Sequence, residues 1–358
     1  MIGMVTWMVG STVLAMLLGA LYQVLGTRRD ARLHPPPGRW VDLGSHRLHV
    51  FESGHGTPTI LLEAGLMSTV LSWSELQTEL ARSFRVVSYD RAGLGWSDLG
   101  PMPRTADRIV EELRSLLQRA GVPPPYVLVG HSFGGLTMPL FAARYPEEVA
   151  GMVLVDPVAP AEWNPPSERD RQLIHIGAKV CRRAAILARI GLIRFIATLL
   201  TAGAKKPAGY IVRLISRGTP ADSGTIQSPW FAALPANEKA MAPVFWVQQK
   251  FALTIASQLE NLPVSAVLVA QIGSVCDKPV VILSARTAPQ KRQREHAAMA
   301  RRMPRGAHVV AQNSNHWIMQ EDVALVVRAI REVAGSVETQ EQKSPARASG
   351  SGSRVGLP

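Results

Sequence analysis

A chain of 358 residues with 47% apolar and 18% charged side chains can build one large α/β domain with an insertion, or two domains, and is not a disordered, collagen-like or acidic solvating chain. Two cysteines, Cys181 and Cys276, make no disulfide framework and lack zinc-ligand spacing, so no metal is expected. The net charge of +12 is concentrated in residues 171–218, which hold Arg171, Lys179, Arg182, Arg183, Arg189, Arg194, Lys205, Lys206, Arg213 and Arg217 and no acid. Interleaved with Ile, Leu and Phe, these cations point to a membrane surface and away from nucleic acid.

Residues 1–27 carry no charged side chain and exceed the roughly 20 apolar residues that span a bilayer. A cleaved signal peptide would want a basic stretch ahead of the apolar run, and nothing basic precedes Arg28. We expect a single-pass anchor in the cell membrane, with secretion by a signal peptide as the alternative. Arg28, Arg29 and Arg32 follow at once. By the positive-inside rule they place the rest of the chain on the cytoplasmic side. Residues 28–38 read as a basic linker whose prolines lift the next domain off the membrane.

Residues 40–52 read as a hairpin around Gly44-Ser45, and 59–63 as a strand. A helix at 75–82 and a strand at 85–89 follow. Residues 105–120 have helical spacing, through Ile109, Leu113, Leu116 and Leu117, with Thr105 as N-cap. Next come a strand at 126–130, a helix at 135–145 and a strand at 151–155. A long, mostly helical stretch from 157 to about 277 interrupts the alternation. It resumes with a strand at 279–284, a helix at 291–303, a strand at 307–311 and a closing helix at 322–333. Residues 336–358 lack apolar periodicity and read as a disordered tail. The alternation implies a mostly parallel sheet with helices on both faces.

Gly130-His-Ser132-Phe-Gly134-Gly135 follows a strand and opens a helix, the setting of a nucleophile elbow. The serine occupies a strained turn, so Gly130 and Gly134 must lack side chains. The hydroxyl is then held above the sheet at a helix N-terminus, where negative charge is favoured. Its base is His316, in Asn313-Ser-Asn-His316-Trp, just after the last strand. His131 is assigned a packing role, and His46, His49, His55, His175, His296 and His308 have no comparable setting. The base needs an orienting carboxylate. After the strand at 279–284 no acid occurs until Glu295, already inside a helix. Asp156 ends an earlier strand and gives the order Ser-acid-His; Glu295 and Asp277 remain alternatives. Oxyanion donors must be backbone N–H groups. Phe133 supplies one, and the turn Glu63-Ala-Gly65-Leu66-Met67 the other, with Leu66 the best placed. The loop Tyr89-Asp-Arg91-Ala-Gly93-Leu-Gly95-Trp-Ser97-Asp98 is read first as a structural loop that Asp90 and Arg91 bond down, and second as a wall of the site's mouth.

These motifs resemble the α/β-hydrolase superfamily over about residues 38–333. The resemblance is to bacterial members with an EAGL…W turn, a YDRAGxGWSD loop, YVLVGHSFGGL, YPEEVAGMVLVDP and a terminal NSNHW. It implies an α/β-hydrolase core at 39–156 and 277–335, a helical lid at 157–276, and Ser132, Asp156 and His316 as the triad. Two departures stand out: Ala64-Gly65 where many relatives have His-Gly, and no acid just past the late strand. A serine in place of aspartate argues against the branches that attack with a carboxylate. The implied chemistry is cleavage of a small-molecule carboxylic ester, a lipid-like one included, through an acyl-enzyme, with no cofactor and no metal. The same triad also serves amidases, peptidases and perhydrolases, and a non-catalytic ligand- or partner-binding protein is the alternative class. In the lid, residues 178–200 treated as one helix put Lys179, Arg182, Arg183, Arg189 and Arg194 within an arc of about 140°. That helix either packs on the core with solvated arginines or lies on anionic membrane lipid.

Overall fold

Eight short segments rich in Val, Leu and Ile form one sheet. The computed structural model describes residues 2–204, 234–272 and 277–343. The strands are β1 (Arg39–Asp42), β2 (Arg47–Ser53), β3 (Thr59–Glu63), β4 (Val86–Tyr89), β5 (Tyr126–His131), β6 (Val149–Val155), β7 (Val280–Ala285) and β8 (Gly306–Ala311). Their order is β1-β2-β4-β3-β5-β6-β7-β8. β1 and β2 pair antiparallel, β2 joins β4 antiparallel, and the rest run parallel. Alternate residues face opposite sides. Leu128, Met152, Leu154 and Ile282 enter one core; Val127, Val129, Val153 and Leu283 enter the other.

Around the sheet run α1 (Ile2–Leu33), α2 (Ser74–Leu80), α3 (Ala106–Ala120), α4 (Gly134–Arg144), α5 (Pro160–Trp163), α6 (Glu168–Arg189), α7 (Leu192–Thr201), α8 (Ala236–Phe245), α9 (Gln249–Glu260), α10 (Leu262–Ala270), α11 (Gln290–Arg301), α12 (Ile318–Glu321) and α13 (Val323–Lys343). Helices α3, α4 and α11 bury apolar residues in the first core, and α2, α12 and α13 in the second. Thr105 caps α3 as its spacing predicts, its hydroxyl accepting from the Arg108 N–H. Helices α5 to α10 lie between β6 and β7.

Three expectations are corrected. Residues 28–33 are helical, because Arg, Ala and Leu sustain the helix up to His34-Pro35. The C-terminal part of α1 is docked on α7 and the loops instead of being lifted away. The Tyr22 hydroxyl lies 3.0 Å from that of Thr198, Gln23 donates to the Val247 carbonyl, and Trp96 donates to the His34 carbonyl. The single helix expected over 178–200 is two helices, bent by 89° at Gly191. Gly191 has φ +74°, and a Cβ there would sit 2.3 Å from the Gly19 carbonyl oxygen. Finally, α13 continues to Lys343, because residues 337–343 are fair helix formers without Gly or Pro and propensity needs no apolar period. Lys205, Lys206, Arg213, Arg217 and Cys276, and residues 344–358 of the expected tail, lie outside the described residues.

Candidate active site

Strands β5 and β6 pair with His131 opposite Val155, so Ser132 and Asp156 leave neighbouring strands side by side. Both then turn sharply, with φ +51° at Ser132 and +41° at Asp156. Neither is glycine, so each turn holds strain that the surrounding bonds must sustain. Ser132 N–H donates to the Val155 carbonyl, and Val158 N–H donates back to the Ser132 carbonyl at 2.8 Å. The glycines of the elbow are sterically required. A Cβ at Gly130 would meet the Gly134 carbonyl oxygen at 2.6 Å, and one at Gly134 would meet the Glu63 carbonyl oxygen at 2.8 Å.

His316 approaches from the loop after β8. Its Nδ1 lies 2.6 Å from Asp156 Oδ2, while Asp156 Oδ1 accepts the Ala285 N–H at 3.0 Å. Asp156 is buried, and His316 is 37% exposed. Burial alone would raise the Asp156 carboxyl, but the His316 hydrogen bond and charge and the Ala285 N–H outweigh it. The group is held below the ordinary carboxylate value. The carboxylate on His316 is that of Asp156; Glu295 lies on α11 and Asp277 ahead of β7. Among the described residues, no hydrogen bond joins the Ser132 hydroxyl to His316; such contacts tighten when substrate binds.

His131 does more than fill space. It is buried, and its Nε2–H donates to the His316 carbonyl at 3.0 Å, with the rings 4.6 Å apart. Burial first, then the His316 charge, push its pKa down to about 3. It is therefore a neutral support for the His316 loop. Gly65 covers the same ring: a Cβ there would lie 2.9 Å from His131 Nδ1 and 3.2 Å from Ser132 Cβ. The turn carrying Leu66 thus lies against Ser132. Among the described residues neither the Phe133 nor the Leu66 N–H has a hydrogen-bond partner.

Two supports escaped the sequence reading. Arg91, recognised only as a loop anchor, is buried and holds that turn. Its guanidinium donates to Glu63 Oε1 at 2.6 Å and to the Ala64 and Gly65 carbonyls, and lies 5.1 Å over the Phe133 ring. A second support is a chain of side chains behind Asp156. His296 Nε2–H donates to the Pro157 carbonyl at 2.8 Å, so its Nδ1 accepts from the Ser284 hydroxyl at 2.7 Å, and Ser284 accepts from His308. The motif that contains Arg91 does not show which turn it holds, and no local motif marks the second support, because each joins residues far apart in sequence.

A family model described as alpha/beta hydrolase fold matches residues 58–185. The match takes in little more than a third of the chain, and the chain has the α/β-hydrolase fold. The uncharacterized protein YqjL of Bacillus subtilis is 41% identical over 104 residues, 29% of this chain and 41% of that protein. An AB hydrolase superfamily protein of Gibberella zeae is 38% identical over 103 residues, 28% of this chain and 32% of that one. The chain thus spans less than half the length of either relative. A thermophilic esterase from Thermogutta terrifontis superposes with a TM-score of 0.57 at 23% identity, over 84% of this chain and 98% of that one. That likeness concerns the fold. The elbow, β6 and the first part of the insertion all fall within the family match.

Proposed function

We propose that this α/β hydrolase cleaves a carboxylic ester through an acyl-enzyme on Ser132, with His316 as base and Asp156 as its orienting acid. The observation that carries the reading is the 2.6 Å contact between His316 Nδ1 and buried Asp156, at the strand end beside a strained serine elbow. With Asp156 accepting from Nδ1–H, the lone pair of His316 is on Nε2, the nitrogen free to take a proton. His316 removes the Ser132 proton as the oxygen attacks the ester carbonyl. The oxyanion is met by the Phe133 and Leu66 N–H groups. The C–O bond to the alcohol then breaks, and His316 returns the proton to the leaving oxygen. A water, deprotonated by His316, releases the acid and restores Ser132. Leu66, Met67, Cys181, Trp246 and Leu259 pack around a buried cluster of Leu94, Phe251 and Ile255, an apolar wall suited to an aliphatic acyl group.

Helix α1 has an 18-residue stretch of mean hydropathy 1.8, none of it buried. We infer that it anchors the enzyme in the cell membrane as a single pass, with the catalytic domain on the cytoplasmic side where Arg28, Arg29 and Arg32 emerge. The test is hydrolysis of p-nitrophenyl esters of graded acyl length by the full chain in detergent. Ester cleavage that Ser132→Ala reduces to background supports the reading; equal rates in both proteins would overturn it.

A further inference from the structure

The corner between α6 and α7 is packed backbone to backbone against α1. A Cβ at Gly19 would sit 2.2 Å from the Ile190 carbonyl oxygen, matching the clash that a Cβ at Gly191 would make with Gly19. Two glycines thus let two main chains touch. Below the contact, Arg194 fixes the pair: it donates to Gln23 Oε1 at 3.0 Å, to Asp30 at 2.6 Å and to Thr27 at 3.2 Å. It is buried, so it is neither a solvated nor a lipid-facing arginine. The corner is therefore held at one depth along α1.

That depth can be read from the helix. At 1.5 Å per residue, Gly3 to Tyr22 spans about 30 Å, the thickness of a bilayer's hydrocarbon core. Tyr22 then stands at the interface, where amphipathic aromatics settle, and Arg28, Arg29 and Arg32 lie one to three turns farther, among headgroups. Met16 is about 9 Å inside the boundary. A groove of 420 Å³ opens between this stretch and the corner, lined by Thr12, Met16 and Tyr22 on one side and Ile190, Leu192 and Phe195 on the other. Phe195 is 47% exposed, and Ile186, one turn before the corner, 65%. A corner packed on Gly19, sharing a groove with Met16, cannot stay in water if α1 crosses a bilayer.

We propose that the α6–α7 corner enters the cytoplasmic leaflet beside α1, with Phe195 and Ile186 among acyl chains and Arg189 at the anionic headgroups. The occupant of the exposed apolar face is lipid. Three observations argue for it: residues 3–18 of the apolar helix are exposed, the corner is continuous with that stretch, and the flanking charge is positive. The insertion is thereby held in the membrane surface, not merely near it. The inference rests on the membrane-anchor reading and is independent of the catalytic one.

The test places an environment-sensitive fluorophore at single cysteines in the full chain, in a Cys181→Ser, Cys276→Ser background reconstituted in phosphatidylcholine–phosphatidylglycerol vesicles. Labels go at Phe195→Cys and Ile186→Cys, at Leu14→Cys in the anchor, and at Gln118→Cys, exposed on α3. Expected are quenching by lipid-borne nitroxides and shielding from aqueous iodide at 195, 186 and 14, with the reverse at 118. A lipid-contacting label at 14 with iodide-quenched labels at 195 and 186 overturns the proposal and leaves the anchor standing. Labels at 195 and 186 shielded from both quenchers would mean that protein covers the corner, and would also overturn it. An iodide-quenched label at 14 would overturn the anchor reading itself.

Discussion

Replacing Arg91 with methionine tests how the oxyanion turn is held. The guanidinium and the Glu63 carboxylate are 2% and 0% exposed. Removing the cation leaves a buried acid with no partner charge, a loss of about 3–5 kcal/mol. It also leaves the Ala64 and Gly65 carbonyls without their donor, each bond contributing about 1 kcal/mol. Burial already raises the Glu63 carboxyl, with Arg91 opposing, so the orphaned acid takes up a proton and part of the loss is relieved at low pH. The double variant Arg91→Met, Glu63→Leu removes the acid as well, and should recover all but the roughly 2 kcal/mol of the two carbonyls. The assay is unfolding of the full chain in detergent, followed by near-UV circular dichroism. Turnover should fall in both variants, because the Leu66 N–H is no longer fixed; an oxyanion donor is worth about 10²–10³ in kcat. Equal losses in the single and double variants, within about 0.5 kcal/mol, would refute the Arg91–Glu63 account.

Asp156→Asn should leave the unfolding transition nearly in place and lower kcat on the order of 10⁴-fold, because the amide favours the wrong His316 tautomer; steady-state kinetics on one ester checks it. Gly130→Ala drives a Cβ to 2.6 Å from the Gly134 carbonyl oxygen and should destabilise by about 1–3 kcal/mol, read as a lowered melting temperature. Glu238, on α8, accepts from the Thr69 N–H and hydroxyl beside the oxyanion turn. Burial, opposed by those bonds, pushes its pKa up to about 7. A raised acid stabilises at low pH and loses that contribution as pH rises through its folded value. Unfolding measured between pH 5 and pH 8, roughly the window between an ordinary glutamate and this one, should slope downward in the parent and flatten in Glu238→Gln.

Sheet and elbow were legible because their signals are local. An unbroken apolar run, buried throughout, marks Val127 to Val129, and the Gly130 and Gly134 spacing declares the turn between β5 and α4. His316 was legible from its place after the last strand. Asp156 was one of three candidates, since chain order cannot say which carboxylate the β5–β6 register brings to His316. Arg91, His131 and the Ser284–His296–His308 chain were hidden because their partners lie far away in sequence. The break at Gly191 was hidden too: helical spacing runs on through it, and only the approach of Gly19 requires the backbone to turn there. The charge count over 171–218 treated Arg194 as one more surface cation, whereas burial against Gln23, Thr27 and Asp30 makes it a clamp.

The most direct measurement is peptide mass spectrometry of the full chain after reaction with a fluorophosphonate. The account predicts one covalent adduct on the peptide containing Ser132, absent from Ser132→Ala and slowed by orders of magnitude in His316→Ala. An unmodified Ser132 in a folded parent, or an adduct that survives Ser132→Ala, would contradict it.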